Sequence, residues 1–151
     1  MPGGLTLVEL DLPFDAGYQR PERQLALMDL LENPQLYPVG LESAAGYHLQ
    51  VACKHQQWLF SLVTTDGQPI ANAGCAVAVL TPKLKAYQAA QGSSRQARLG
   101  ESVSLLEQAE QLQQERLAEA GQVLQHELSQ QIGMSTATAQ ALAALLATLE
   151  G

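Results

Sequence analysis

Basic residues are scarce: eight Lys and Arg stand against fifteen Asp and Glu, a net charge of −7 over 151 residues. Affinity for a nucleic-acid backbone grows with the number of phosphates that basic side chains neutralise, so this balance argues against a nucleic-acid partner. An anionic membrane surface is disfavoured on the same ground. No apolar run approaches the roughly 18 residues that a spanning helix needs. The start Met1-Pro2-Gly3-Gly4-Leu5 lacks the basic stretch and apolar segment of a secretory leader. A cytosolic chain is expected. Cysteine is limited to Cys53 and Cys75, too few for a disulfide framework, and both are expected as reduced thiols. What remains is 46% apolar and 15% charged residues. That composition suits one α+β domain over 1–151, with a sheet-rich half, 1–80, and a helical half, 81–151.

The clearest pattern is an antiparallel three-strand meander over 47–80. Tyr47, Leu49, Val51 and Cys53 alternate with His48, Gln50 and Ala52, the period-two signature of a half-buried strand. Trp58, Phe60 and Leu62 share one side of the next run. A tight turn between Lys54 and Gln57 pairs Cys53 with Trp58, Val51 with Phe60 and Leu49 with Leu62, so the heavy side chains meet on one face and fix the register. The Asp66-Gly67 pair predicts a second two-residue turn of type I′, which pairs Leu62 with Ala71, Phe60 with Ala73 and Trp58 with Cys75. Val77 and Val79 continue the same face. The two cysteines then flank Trp58 at roughly 10 Å from each other, two strand spacings apart.

Elsewhere the periods are those of a first strand and of helices. Thr6 to Leu12 reads as a strand ended by Pro13, with room for a crossover beside one of the later strands. Pro21 and Glu22 open a helix that carries Leu27, Leu30 and Leu31 and stops at Asn33-Pro34. Thr81 and Pro82 read as a helix cap and first residue, and Gly92-Ser93-Ser94 as a break. A long helix from Arg95 to about Leu128 follows, with Leu99, Val103, Leu106, Leu117, Leu124 and Leu128 on one side. Glu110 and Gln113 interrupt that stripe, so the helix bends or outreaches its cover there. Beyond Gly133, Thr136 to Leu149 is a last helix with the stripe Leu142, Leu145, Leu146 and Leu149. The fold expected is a four-strand sheet covered on one face, with one helix between the first and second strands and the helical half packed on that face.

Read together, Asp29 to Asn33, Tyr37-Pro38-Val39-Gly40, Gly46 to Leu49, Asp66-Gly67, Leu80-Thr81-Pro82 and Gln111 to Leu117 make the chain resemble an uncharacterised protein family (UPF type), found mainly in alphaproteobacteria. The resemblance spans most of the chain in order. It implies a bacterial protein of shared fold and no assigned reaction.

No catalytic set stands out. Leu128 to Leu142 looks like a helix-turn-helix with Gly133 at the turn and Ser135 opening the second helix, yet no Lys or Arg follows Arg116 to place such a helix on phosphates; an ordinary helical corner is the plainer reading. His48, Cys53 and His55 could supply zinc ligands by type, but alternation sends them to different sides, and no metal or other cofactor is expected. Cys53 and Cys75 sit among apolar neighbours, which suppress a thiolate. Glu9 and Asp11 are outward acids on a strand. More informative is the face opposite the core, where the register aligns Gln50, Ser61 and Asn72 across three strands with His48 beside them, a candidate surface for a peptide or partner protein.

Three functional readings follow. The first is a non-enzymatic protein-interaction or regulatory module using His48, Gln50, Ser61 and Asn72. The second is a small enzyme with a dispersed site at the loop 33–47, and the third a helix-turn-helix DNA binder. Self-association is a further expectation: the stripe Leu142, Leu145, Leu146 and Leu149 is expected to leave apolar surface over and to form the contact of a symmetric, mainly helical homodimer.

Overall fold

A computed structural model describes residues 5–11, 21–32, 36–39, 47–64, 66–100 and 103–149. In chain order these form β1 (Leu5–Asp11), α1 (Pro21–Glu32), β2 (Leu36–Pro38), β3 (Tyr47–Lys54), β4 (Gln57–Val63), β5 (Pro69–Ala76), α2 (Val77–Leu99), α3 (Val103–Leu128), β6 (Ile132–Met134) and α4 (Thr136–Leu149). The main sheet has the order β1-β3-β4-β5. Its meander carries the register expected from the side-chain pattern: Cys53 opposite Trp58 opposite Cys75, Val51 opposite Phe60 opposite Ala73, and Leu49 opposite Leu62 opposite Ala71. The first strand, whose neighbour the sequence left open, lies parallel to β3 at the sheet edge, with Val8 beside Leu49 and Leu10 beside Val51. A parallel pair requires a long crossover, and α1 lies within it.

The first hairpin turn is tight as expected, with Lys54 opposite Gln57, whereas the second departs from the type I′ geometry expected of it. His55 and Gln56, neither of them glycine, both adopt left-handed backbone angles (φ 53° and 61°), the type I′ conformation that two-residue loops need to match strand twist. At the second turn Gly67 is left-handed (φ 90°). There the chain closes through Gly67 N–H to the Thr64 carbonyl (2.9 Å), Thr64 N–H to the Gln68 carbonyl (2.8 Å) and Gln68 N–H to Thr64 Oγ1 (3.1 Å), with a register shift at Leu62 and Val63. The threonine hydroxyl and an added residue replace the tight Asp-Gly turn.

The meander also ends earlier than expected. Strand β5 stops at Ala76 and α2 begins at Val77, so Val77 and Val79 leave the sheet face, and Val79 is exposed. The reason is local. Val77 N–H donates to the Gln56 carbonyl at 3.0 Å, which satisfies one of the orphan donors of a helix start with a turn carbonyl instead of a side-chain cap. Thr81 is therefore a buried helical residue whose Oγ1 accepts from Trp58 Nε1 at 3.3 Å, and Pro82 sits inside the helix.

Gly92-Ser93-Ser94 does not break α2, which runs on to Leu99 before α3 starts at Val103. The two helices fold back on each other, held alongside by Lys83 Nζ and Glu119 Oε2 at 3.7 Å. Between α3 and α4 the expected corner contains β6, paired antiparallel with β2 as Leu36 opposite Met134 and Pro38 opposite Ile132. Val39 N–H to the Gln131 carbonyl (2.9 Å) extends this ribbon. Ser135 caps α4 as its sequence suggests, accepting from Thr138 N–H at 3.1 Å.

Core packing corrects one expectation outright. Leu142, Leu145 and Leu146 are fully buried within a single chain, together with Ala139 and Ala143, so they are internal core and not a dimer contact; the Leu149 side chain lies outside the described residues. Helix α4 packs against α3, α1 and α2, and one hydrophobic cluster joins it to Leu30, Tyr47, Leu49, Val51, Trp58 and Phe60. At its tightest crossing with α3, a Cβ on Gly121 would stand 3.2 Å from the Gln140 backbone nitrogen. Gly92, in contrast, has nothing within 4 Å. Both positions gain helix propensity with Ala, but only one has room. Gly92→Ala is expected to raise unfolding free energy by about 0.5–1 kcal/mol, and Gly121→Ala to lower it by about 1 kcal/mol after the propensity gain, since backbone cannot yield as a side chain does. Urea denaturation of the two variants checks both signs.

Candidate functional site

Most of the described sheet face opposite the core is exposed or half-exposed, because the residues that alternate toward the helices are the apolar ones; Val63, beside His48, is buried. Across it Gln50 stands opposite Ser61 and Ser61 opposite Asn72. Gln50 and Asn72 are exposed and Ser61 and His48 half-buried. His48 pairs with Val63 one rung away. The four candidate surface residues thus do come together on adjacent strands, and the backbone register adds Glu9 of β1 beside Gln50. The next rung is apolar and small, Ala52 opposite Leu59 opposite Gly74, and Gly74 lets Leu59 and Gln57 lean over it, with a Cβ there meeting each at 3.5 Å. Amide, hydroxyl and imidazole groups beside a shallow apolar row form a flat surface able to exchange hydrogen bonds and bury modest apolar area.

The remaining candidates disperse. Cys53 is half-buried toward the core, His48 belongs to the other face, His55 is at the exposed hairpin tip and His126 is exposed on α3. Among the described residues no three of His, Cys, Asp and Glu are grouped to hold a metal ion. Cys75 is 1% exposed. Burial first and the nearby Glu127 carboxylate second push its thiol up to about 11, which keeps it protonated and unreactive at neutral pH. Neither cysteine is in a disulfide. Most of the loop 33–47 lies outside the described residues. At its margin Asp29, Leu30 and Glu32 face Ala137, Thr138 and Ala141 across an open cleft of about 140 Å³. The Thr138 hydroxyl there accepts from Ser135 Oγ at 2.9 Å.

One surface escaped the sequence reading. Val103, assigned to the buried stripe of the long helix, is 69% exposed, and Leu105 and Leu112 of the same helix are exposed at 60% and 36%. The only advance signal was the stripe's interruption at Glu110 and Gln113.

The domain is therefore an α+β protein with a helix-covered sheet and a polar open face. The chain belongs to the uncharacterised protein family UPF0262, whose model matches residues 4–151. No curated protein and no solved structure matches it. Among the described residues no helix is long and apolar enough to cross a membrane.

The Cys75 thiol gives a pH test of this geometry. Its proton is held more tightly in the folded chain than in the unfolded one, so its contribution to stability is full below pH 9 and is lost as pH rises toward about 11. The urea midpoint should fall between pH 9 and 10.5, and fall less in Cys75→Ala. At pH 8 one thiol per chain, Cys53, should react with a disulfide reagent before unfolding and two after it.

Proposed function

We propose that the protein is a non-enzymatic interaction module that docks a protein partner on its open sheet face. The observation that carries this reading is the rung Gln50, Ser61 and Asn72, aligned on three hydrogen-bonded strands with the residues of the opposite face buried beneath helices. Side chains that need not pack against the core can be chosen for a partner's surface, and a rigid sheet holds them at fixed spacing. Uncharged amide and hydroxyl groups suit a protein surface better than a polyanion. The chain's net charge of −7 points the same way.

Affinity capture from native extract of the source cells tests this. The wild-type chain should retain a specific protein that Gln50→Lys/Asn72→Lys loses at least fivefold, with the circular dichroism spectrum unchanged. A partner held equally by both chains, or no partner at all, would overturn the reading.

A further inference from the structure

The start of α2 is weakly secured by its own residues. Ala76 stands at the N-cap position, and its side chain offers no acceptor to the orphan N–H groups of the first turn. Pro82 inside the helix lacks the N–H that would donate to the Ala78 carbonyl, which removes a bond between the first turn and the second. Ala78 and Val79 are exposed, so the first turn also buries little. Firm anchors lie on either side of it. Cys75 before it and Leu80 and Thr81 after it are buried, and Thr81 Oγ1 accepts the Trp58 indole N–H at 3.3 Å. Between these anchors, Ala76 pairs with Gln57 and Val77 N–H donates to the Gln56 carbonyl at 3.0 Å.

The acceptor belongs to a strained turn. His55 (φ 53°) and Gln56 (φ 61°) hold left-handed angles that asparagine and glycine adopt at lower cost. Lys54 to Gln57 are all exposed, so burial of the turn's own side chains does not hold it in place. Strained backbone persists only where the surrounding structure fixes it, and here the surroundings are the pairs Lys54–Gln57 and Gln57–Ala76 and the Val77 bond. Turn and helix start therefore depend on each other. We propose that the β3–β4 turn and residues 76–79 form a latch that opens and closes as one unit while the rest of the fold stays intact. Opening breaks the bond from Val77 to Gln56, relaxes both left-handed residues and parts Ala76 from Gln57; Thr81, tied to Trp58, confines it to the first turn of α2. Gln57 and Ala76 border the row Ala52, Leu59 and Gly74 on the open sheet face, so the latch gives that end of the face two states. It belongs to the free chain and exists whether or not a partner docks on that face.

Amide hydrogen exchange of the full-length chain, followed residue by residue by NMR, tests the latch. The Val77 amide should be protected yet exchange at least tenfold faster than those of Leu84 and Leu124, at a rate that low urea leaves unchanged, the mark of a local opening. His55→Asn/Gln56→Gly installs the pair that type I′ turns favour and should slow Val77 exchange by about fivefold. Pro82→Ala acts from the helix side, by supplying the missing bond, and should slow the same amide. Val77 exchange as slow as that of Leu124, with the same urea dependence, would show that the helix start opens only in global unfolding and would overturn the proposal, as would an unprotected Val77 amide. A Val77 rate that either variant leaves unchanged would also overturn it, because turn and helix start would then open separately.

Discussion

Everything in this fold is arranged around the burial of α4. A helix of Ala and Leu with no charged residue from Thr136 to Leu149 is apolar on nearly all sides, and such a helix is stable only as the interior of something. Complete burial of Leu142, Leu145 and Leu146 contributes on the order of 2 kcal/mol each, and it demands three neighbours. Helix α3 supplies one, crossing at Gly121; α1 and α2 supply the others. The side chain of Gln88 on α2 donates to the carbonyl of Ala147, and Gln125 on α3 donates to that of Met134 just before α4 (3.1 Å). Polar residues at the edge of the core thus fix the register of helices that apolar contact alone would leave free to slide.

The start of α2 shows how closely the sheet and helices are coupled. The β3–β4 turn spends unfavourable backbone angles at His55 and Gln56, of order 1 kcal/mol each, and the carbonyl it presents receives the first N–H of α2. The following turn of the same helix carries Thr81, which accepts the indole N–H of Trp58. One strand pair therefore holds the helix start at two points, and α2 needs no capping side chain of its own.

Legibility from sequence followed the range of the interaction. Meander pairing was readable because a one-residue slip would turn Trp58, Phe60 and Leu62 away from the core, and the helix cap at Ser135 was readable because it is local. Gly92 was misread as a break because a glycine weakens a helix without ending it; here packing of Tyr87, Ala90 and Ser94 carries α2 across it. The Asp66-Gly67 turn was misread because the Thr64 hydroxyl offered another closure. Nothing local announces β6, three residues whose pairing with β2 spans about a hundred positions. The polar rung was legible as soon as the register was. What the C-terminal leucines pack against was not, since a stripe shows that a face is covered without showing by what.

An open sheet face invites the question of why the sheet does not extend itself. Strand β5 begins with Pro69, which lacks a ladder donor, and both α3 and β6 approach this strand, so its edge is partly screened. On the other side β1 carries Glu9 and Asp11 in its sequence, and charges on an edge strand oppose pairing with another copy. Edge-to-edge growth is thus discouraged at both ends while the flat face between them stays accessible. The sheet thus restricts pairing at its edges, by a missing donor and by acidic charge, while its face stays open, which is the arrangement that specificity by exclusion requires.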